Sequence, residues 1–264
     1  MCGLLFSLRE GRTAVAGSGT ITTIGCAHMN NEPERCAARS LLRLQSWLSP
    51  AFPTGSYSYS HGLERAVEMG DVHDLRSLIE WLQADLCYGS VRNEAIFFSE
   101  AWSAVRTRDC TRLLAIAELA AASRGTSEFA LESSQQGSAA LATLRVVWPD
   151  PVLEWLSDSL TERAVPASLA VVLGARSARQ GVPIAFALPA FVQSYTSNLV
   201  TAAVRLIPLG QTAAQRVIAK LEEAVLSASA RARNDTIEDL GSAAFAVDLA
   251  SMEHETQYTR LFRS

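Results

Sequence analysis

From Ala37 onward the apolar residues recur at helical spacing almost without relief, and no stretch alternates apolar and polar residues as a half-buried strand requires. Leu41, Leu44 and Leu48 share one face, and Ser49-Pro50 with Pro53 stops that helix. After the turn Pro53-Thr54-Gly55, a second helix is predicted to carry Tyr59, Leu63, Ala66 and Val67 and to end at Gly70. Asp74 can N-cap a third, whose stripe is Leu75, Leu78, Ile79, Leu82 and Leu86. The pattern continues over 93–105 and 109–122, and Asp150-Pro151 pairs a cap with a proline at the first helical position, ahead of Leu153, Leu156 and Leu160. A further helix is predicted from near Pro166 to Gly181. Pro183 then opens a long uncharged one, which Pro208-Leu209-Gly210 ends. Thr212-x-x-Gln215 reads as a capping box ahead of Ala214, Val217, Ile218, Leu221 and Val225.

The expected fold class is all-α: a single helical domain of roughly ten helices around a central uncharged helix, preceded by an irregular N-terminal leader. Residues 1–36 form that leader, with no helical period and the β-leaning run Gly19 to Ile24; residues 37–264 form the helical domain. Met29 opens an ordinary cytosolic start, so translation is expected to begin there and the first 28 residues to be either non-native or a dispensable leader. The 264 residues, 48% hydrophobic and 19% charged, suit a sizeable core and exclude a disordered chain.

The charge balance and the missing motifs exclude whole classes of function. With 23 basic and 27 acidic residues, a single lysine (Lys220) and no basic stripe, the chain is not expected to bind nucleic acid. The uncharged run 181–204 could span a bilayer by length, but Pro183, Pro189, Gln193, Asn198 and its hydroxyls fit burial in protein better, so no membrane segment is expected. Cys2, Cys26, Cys36, Cys87 and Cys110 form no C-x-x-C pair and read as reduced thiols of a cytoplasmic protein. No G-x-x-x-x-G-K-[ST] loop exists, and Gly17-Ser18-Gly19 lacks the rest of a dinucleotide fingerprint. His28, His61, His73 and His254 make no H-E-x-x-H set, and no G-x-S-x-G elbow supports a nucleophile. Glu253-His254-Glu255 reads as a solvated polar turn, because consecutive helical residues point different ways. Catalytic residues, metal ligands and cofactors are therefore expected to be none.

Two segments are more specific than a plain helical protein needs. In Pro53 to Glu64, hydroxyls and aromatics alternate beside His61 and Glu64, which makes either a local cap or a recognition surface. The chain ends in Tyr258, Arg260, Leu261, Phe262 and Arg263, residue types enriched at interface hot spots, whereas most chains end in dispensable polar residues. This tail either docks on its own domain or meets a partner.

At these residues the sequence resembles the UreF family of urease accessory proteins, from about Leu41 to Ser264. The resemblance is carried by Ser49-Pro50-Ala51-Phe52-Pro53-Thr54-Gly55-Ser56-Tyr57-Ser58-Tyr59-Ser60-His61-Gly62-Leu63-Glu64, by Pro208-Leu209-Gly210-Gln211-Thr212, and by the ending Leu249 to Glu255 with Arg260-Leu261-Phe262-Arg263-Ser264. It implies a cytoplasmic, non-catalytic chaperone component for nickel insertion. Such a protein bridges a UreD/UreH-type accessory protein and a UreG-type GTPase during maturation of apo-urease, and is a homodimer within the complex. Carried over residue by residue, it implies partner-binding roles for Tyr57, Tyr59, His61, Glu64, Gln211, Tyr258, Arg260, Phe262 and Arg263. One departure stands out: many members continue Gly-Gln-Thr with Asp-Gly, whereas Ala213-Ala214 follows here. The alternative from another class is a helical small-molecule-binding regulator or helical enzyme with a pocket around Tyr195, Asn198 and Trp102. A standalone nickel carrier is disfavoured by the lack of a His- or Cys-rich tract.

Overall fold

The computed structural model describes residues 32–264. The expectations for a β-leaning run and a start at Met29 lie outside them. Eleven α-helices and no strand occur among the described residues. The first, α1 (Glu32–Leu48), begins five residues before the expected domain boundary at 37. Its buried residues are only Ser40, Leu44 and Trp47, so its first turns carry no apolar stripe for a sequence pattern to find.

The centre of the fold is the pairing of α4 (Ser90–Arg106) with α8 (Leu169–Gln180). Gly174 allows their close approach, because a Cβ there would stand 2.4 Å from the Phe98 carbonyl oxygen. Around this pair lie α3 (Leu75–Tyr88), α5 (Cys110–Ala122), α9 (Ile184–Leu206) and α10 (Gln211–Ala232) beside α4, with α6 (Ser127–Val147) and α7 (Pro151–Glu162) against α8. Phe97, Phe98 and Phe191 are the largest fully buried side chains, and the last two stack at 4.9 Å. The long helix expected at the centre is α9, whose one charged residue is Arg205, but α8 is enclosed more fully: nine of its 12 residues are buried, against nine of 23 in α9. Two short helices complete the chain, α2 (Leu63–Glu68) and α11 (Phe245–His254), packed on each other, with α11 also on α6.

The caps explain several boundaries. Asp74 accepts from the Ser77 amide and Asp150 from the Val152 amide with Pro151 behind it, while Gly70 and Gly181 close helices at positive φ. The capping box expected at Thr212 does not form. Its helix starts two residues earlier, at Gln211 with Gly210 as the N-cap, and has no side-chain cap. The second helix is also shorter than expected: a 3-10 turn covers Ser56–Ser58, Tyr59 is extended, and α2 begins only at Leu63. Cys36 and Cys87 are free thiols, but Cys110 is disulfide-bonded, contrary to the expectation of thiols throughout. No helix among the described residues is long and apolar enough to cross a membrane.

Candidate functional site

The break in the second helix builds the site. His61 and Gly62 both adopt left-handed backbone (φ 58° and 77°), which turns the chain between the extended Tyr59 and α2. Gly62 is required twice there, because a Cβ would also meet the Ser251 amide nitrogen of α11 at 2.8 Å. The turn aims the His61 ring inward, stacked on Phe129 at 3.9 Å. Nδ1 lies 3.1 Å from Glu132 Oε2 and 2.8 Å from the Tyr195 hydroxyl, and Nε2 meets Ser90 Oγ, with Asp85 Oδ2 3.7 Å away. Burial alone would lower the His61 pKa, but Glu132 and Asp85 more than offset it and leave it raised. Burial pushes Asp85 up, and pushes the Tyr195 phenol well above its ordinary value. Nearby, Arg124 is paired with Glu94, and its burial draws its pKa down to about 10.

A second buried cluster surrounds His254, which is not in a solvated turn as expected but fully enclosed at the end of α11. Nδ1 lies 2.8 Å from Glu128 Oε2, and Nε2 lies 3.1 Å from Glu64 Oε2. Glu128 and Glu132 stand one turn apart on α6, so one face of that helix serves both histidines.

The tail is seated on these carboxylates. The Leu261 and Phe262 amides donate to Glu64 at 2.7 and 2.9 Å, and Arg260 Nη1 donates to Glu128 at 3.0 Å. The Arg263 amide donates to the Ser58 carbonyl at 2.8 Å, the Ser60 amide to the Ser264 carbonyl at 2.6 Å, and Ser264 Oγ to Glu132 at 3.0 Å. Phe262 is 4% exposed, with the Arg205 guanidinium 4.3 Å over its ring. The extended Tyr59 strand of chain, which shortens the second helix, is thus where the tail lies.

The structure therefore brings together most of the residues singled out in the sequence. Tyr59, His61, Glu64 and Phe262 are buried in the seat, Tyr59 donating its hydroxyl to Gln135, which also accepts from Arg263 Nη1 at 3.1 Å. Tyr57 and Tyr258 are exposed beside it, and Arg205 Nη1 donates to the Tyr57 carbonyl at 3.0 Å. Gln211 stands apart, exposed at the start of α10. Sequence reasoning missed His254, Glu128, Glu132 and Asp85. The only local signal was the Glu128-x-x-x-Glu132-x-x-x-Gln136 row, which reads equally as a solvated helix face.

The order Ser90, His61, Glu132 is that of a hydrolase triad. The adjoining cavity, however, is about 50 Å3, and the one that Tyr195 and Asn198 line is about 30 Å3. Spaces of that size take a water or two, far short of the roughly 300 Å3 a small-molecule site needs. Trp102 lines neither, and donates to the Val182 carbonyl at 3.0 Å. Among the described residues no group of three His, Cys, Asp or Glu could hold a metal ion.

What the site offers outward is apolar. Phe245, Leu249 and Met252, spaced four and three residues apart on α11, are 76%, 55% and 48% exposed, and the same helix runs into the tail with Tyr258 and Leu261 exposed.

The UreF family model matches residues 72–222. A urease accessory protein UreF of Rhodopseudomonas palustris (strain BisB5) is 49% identical over 85% of this chain and 91% of its own length. Relatives with the same name from Bradyrhizobium diazoefficiens and Xanthobacter autotrophicus are 46% and 44% identical, over 86% and 88% of this chain and 93% and 94% of their own lengths. With the family model matched over more than half of the chain and this extent of identity over most of both sequences, the chain belongs to the UreF family.

Proposed function

We propose that this protein is a urease accessory protein, a cytoplasmic and non-catalytic chaperone component that bridges a UreD/UreH-type protein and a UreG-type GTPase while nickel is inserted into apo-urease, with two copies in the complex. The observation that carries the reading is the bare apolar stripe of α11 running into a seated tail rich in Tyr, Phe and Arg. A stripe left in water on a helix whose other face is packed is a surface that a partner covers. Tyr57, Tyr258, Arg260 and Arg263 supply exposed polar groups around it; Glu64 holds the tail from beneath, Tyr59 shares Gln135 with Arg263, Phe262 is the tail's buried anchor, and His61 reaches the tail only through Glu132. Gln211 belongs to a different face, suited to a second partner.

The test is co-purification with the UreD-type protein. Phe245→Asp with Leu249→Asp, and separately deletion of residues 259–264, are expected to leave the helical fold in place and abolish the complex. Tight co-elution of both variants would refute the proposed surface. Nucleic acid and membrane have no part in this reading.

A further inference from the structure

The His254 ring is wedged between two carboxylates. A neutral imidazole carries one N–H, so with Glu128 at Nδ1 and Glu64 at Nε2, one nitrogen lone pair would face an anion; only the imidazolium donates to both. The same two carboxylates receive the tail: Glu64 through the Leu261 and Phe262 amides, Glu128 through Arg260. With the ring protonated, His254 and Arg260 balance Glu64 and Glu128; without that proton the cluster carries an uncompensated negative charge.

We infer that His254 and Glu128 are positioning residues of the tail seat, the protonated His254 ring holding both carboxylates where they capture residues 260–262, so that the seat loosens when the proton leaves. The functional meaning of this seat rests on the tail being a partner contact, as proposed above; the seat itself does not.

The groups facing the ring are few. α2 supplies Glu64, α6 supplies Glu128, and the tail supplies Arg260 on Glu128 Oε1, which itself lies 2.9 Å from the ring Nδ1. On α11 itself Glu253 is turned to Arg65, and beyond it Glu255 accepts from the Ser127 amide. Glu132 joins the tail separately, through Ser264. Burial lowers the His254 pKa, but its hydrogen bonds to Glu128 and Glu64 outweigh that and raise it. A raised folded value means that the stabilisation is complete below the ordinary histidine range and is lost as pH rises through the folded value.

The experiment is amide hydrogen exchange on the full chain at about pH 6 and about pH 8.5, corrected for intrinsic rates, comparing Leu261 and Phe262 with α8 as the fold control. In the native protein, protection at 261 and 262 is expected to fall about tenfold or more over that range, the worth of a hydrogen bond to a charged group, while α8 stays protected. In His254→Gln the tail protection is expected to be low and flat with pH. Protection independent of pH in the native protein, or undiminished in His254→Gln with α8 intact, would overturn the inference. Should His254→Gln fail to protect α8, Glu128→Gln decides by the same criterion, and fully protected tail amides there count against it. Partner capture on the same samples separates the two readings: unchanged capture with an unseated tail overturns the partner-contact reading and leaves the seat supported.

Discussion

Truncating Phe262 to alanine separates the tail from the core energetically. The ring is 4% exposed, and burying a phenylalanine is worth about 1.5–3 kcal/mol. The Arg205 guanidinium 4.3 Å above it adds about 0.5–2 kcal/mol. Removing the ring should therefore weaken seating by at least about 2 kcal/mol, or about thirtyfold. The remaining anchors are polar: bonds to the Glu64, Glu128 and Glu132 carboxylates from the Leu261 and Phe262 amides, Arg260 and Ser264 Oγ, each worth about 1.5–3 kcal/mol, and bonds to backbone carbonyls and to Gln135, each worth about 0.5–1.5 kcal/mol net. Because the tail can lift while the helices stay packed, global stability can fall by no more than the seating free energy itself. In Phe262→Ala, hydrogen exchange should show tail amides losing about thirtyfold protection. Circular dichroism and α8 protection should persist. Tail protection equal to that of the unaltered protein would refute the assigned anchor; loss of the helical signal at ambient temperature would refute the tail's independence from the core.

Other consequences follow from the same geometry. Gly62→Ala places a Cβ at positive φ and 2.8 Å from the Ser251 amide, so α2 and α11 must part. A cost of about 2 kcal/mol or more should lower Tm by about 5 °C or more in thermal unfolding. Arg124→Met leaves Glu94 buried without its partner and should cost about 3–5 kcal/mol in urea unfolding; adding Glu94→Leu should recover most of it, and no recovery would count against a buried ion pair. His61 and His254 both have raised folded pKa values, and stability from such groups is present below their unfolded values and lost as pH rises through the folded ones. Asp85, also raised, acts in the same direction from lower pH. The urea midpoint should accordingly fall between about pH 6 and about pH 8.5, and a flat or rising midpoint would contradict the protonated rings.

The helices were legible because burial writes a local period, and because Asp74, Asp150-Pro151, Gly70 and Gly181 act within a turn of themselves. What failed locally failed for non-local reasons. Tyr59 is drawn out of a helix by chain more than 200 residues further on, which no window of sequence contains. His254 looked solvated beside two glutamates, yet its partners Glu64 and Glu128 lie 190 and 126 positions away. Thr212 had the residue types of a capping box, but the helix began two residues earlier, with Gly210 rather than Thr212 at the N-cap. The interest of the tail was visible in its composition; that it rests on carboxylates of α2 and α6 was not.

The central claim is tested most directly by the nickel content and activity of urease purified from cells carrying the urease genes with and without this reading frame, at equal nickel supply. Nickel-poor, inactive urease without it, restored when it is supplied again, is the predicted result. Fully nickel-loaded, active urease in its absence would contradict the proposed role.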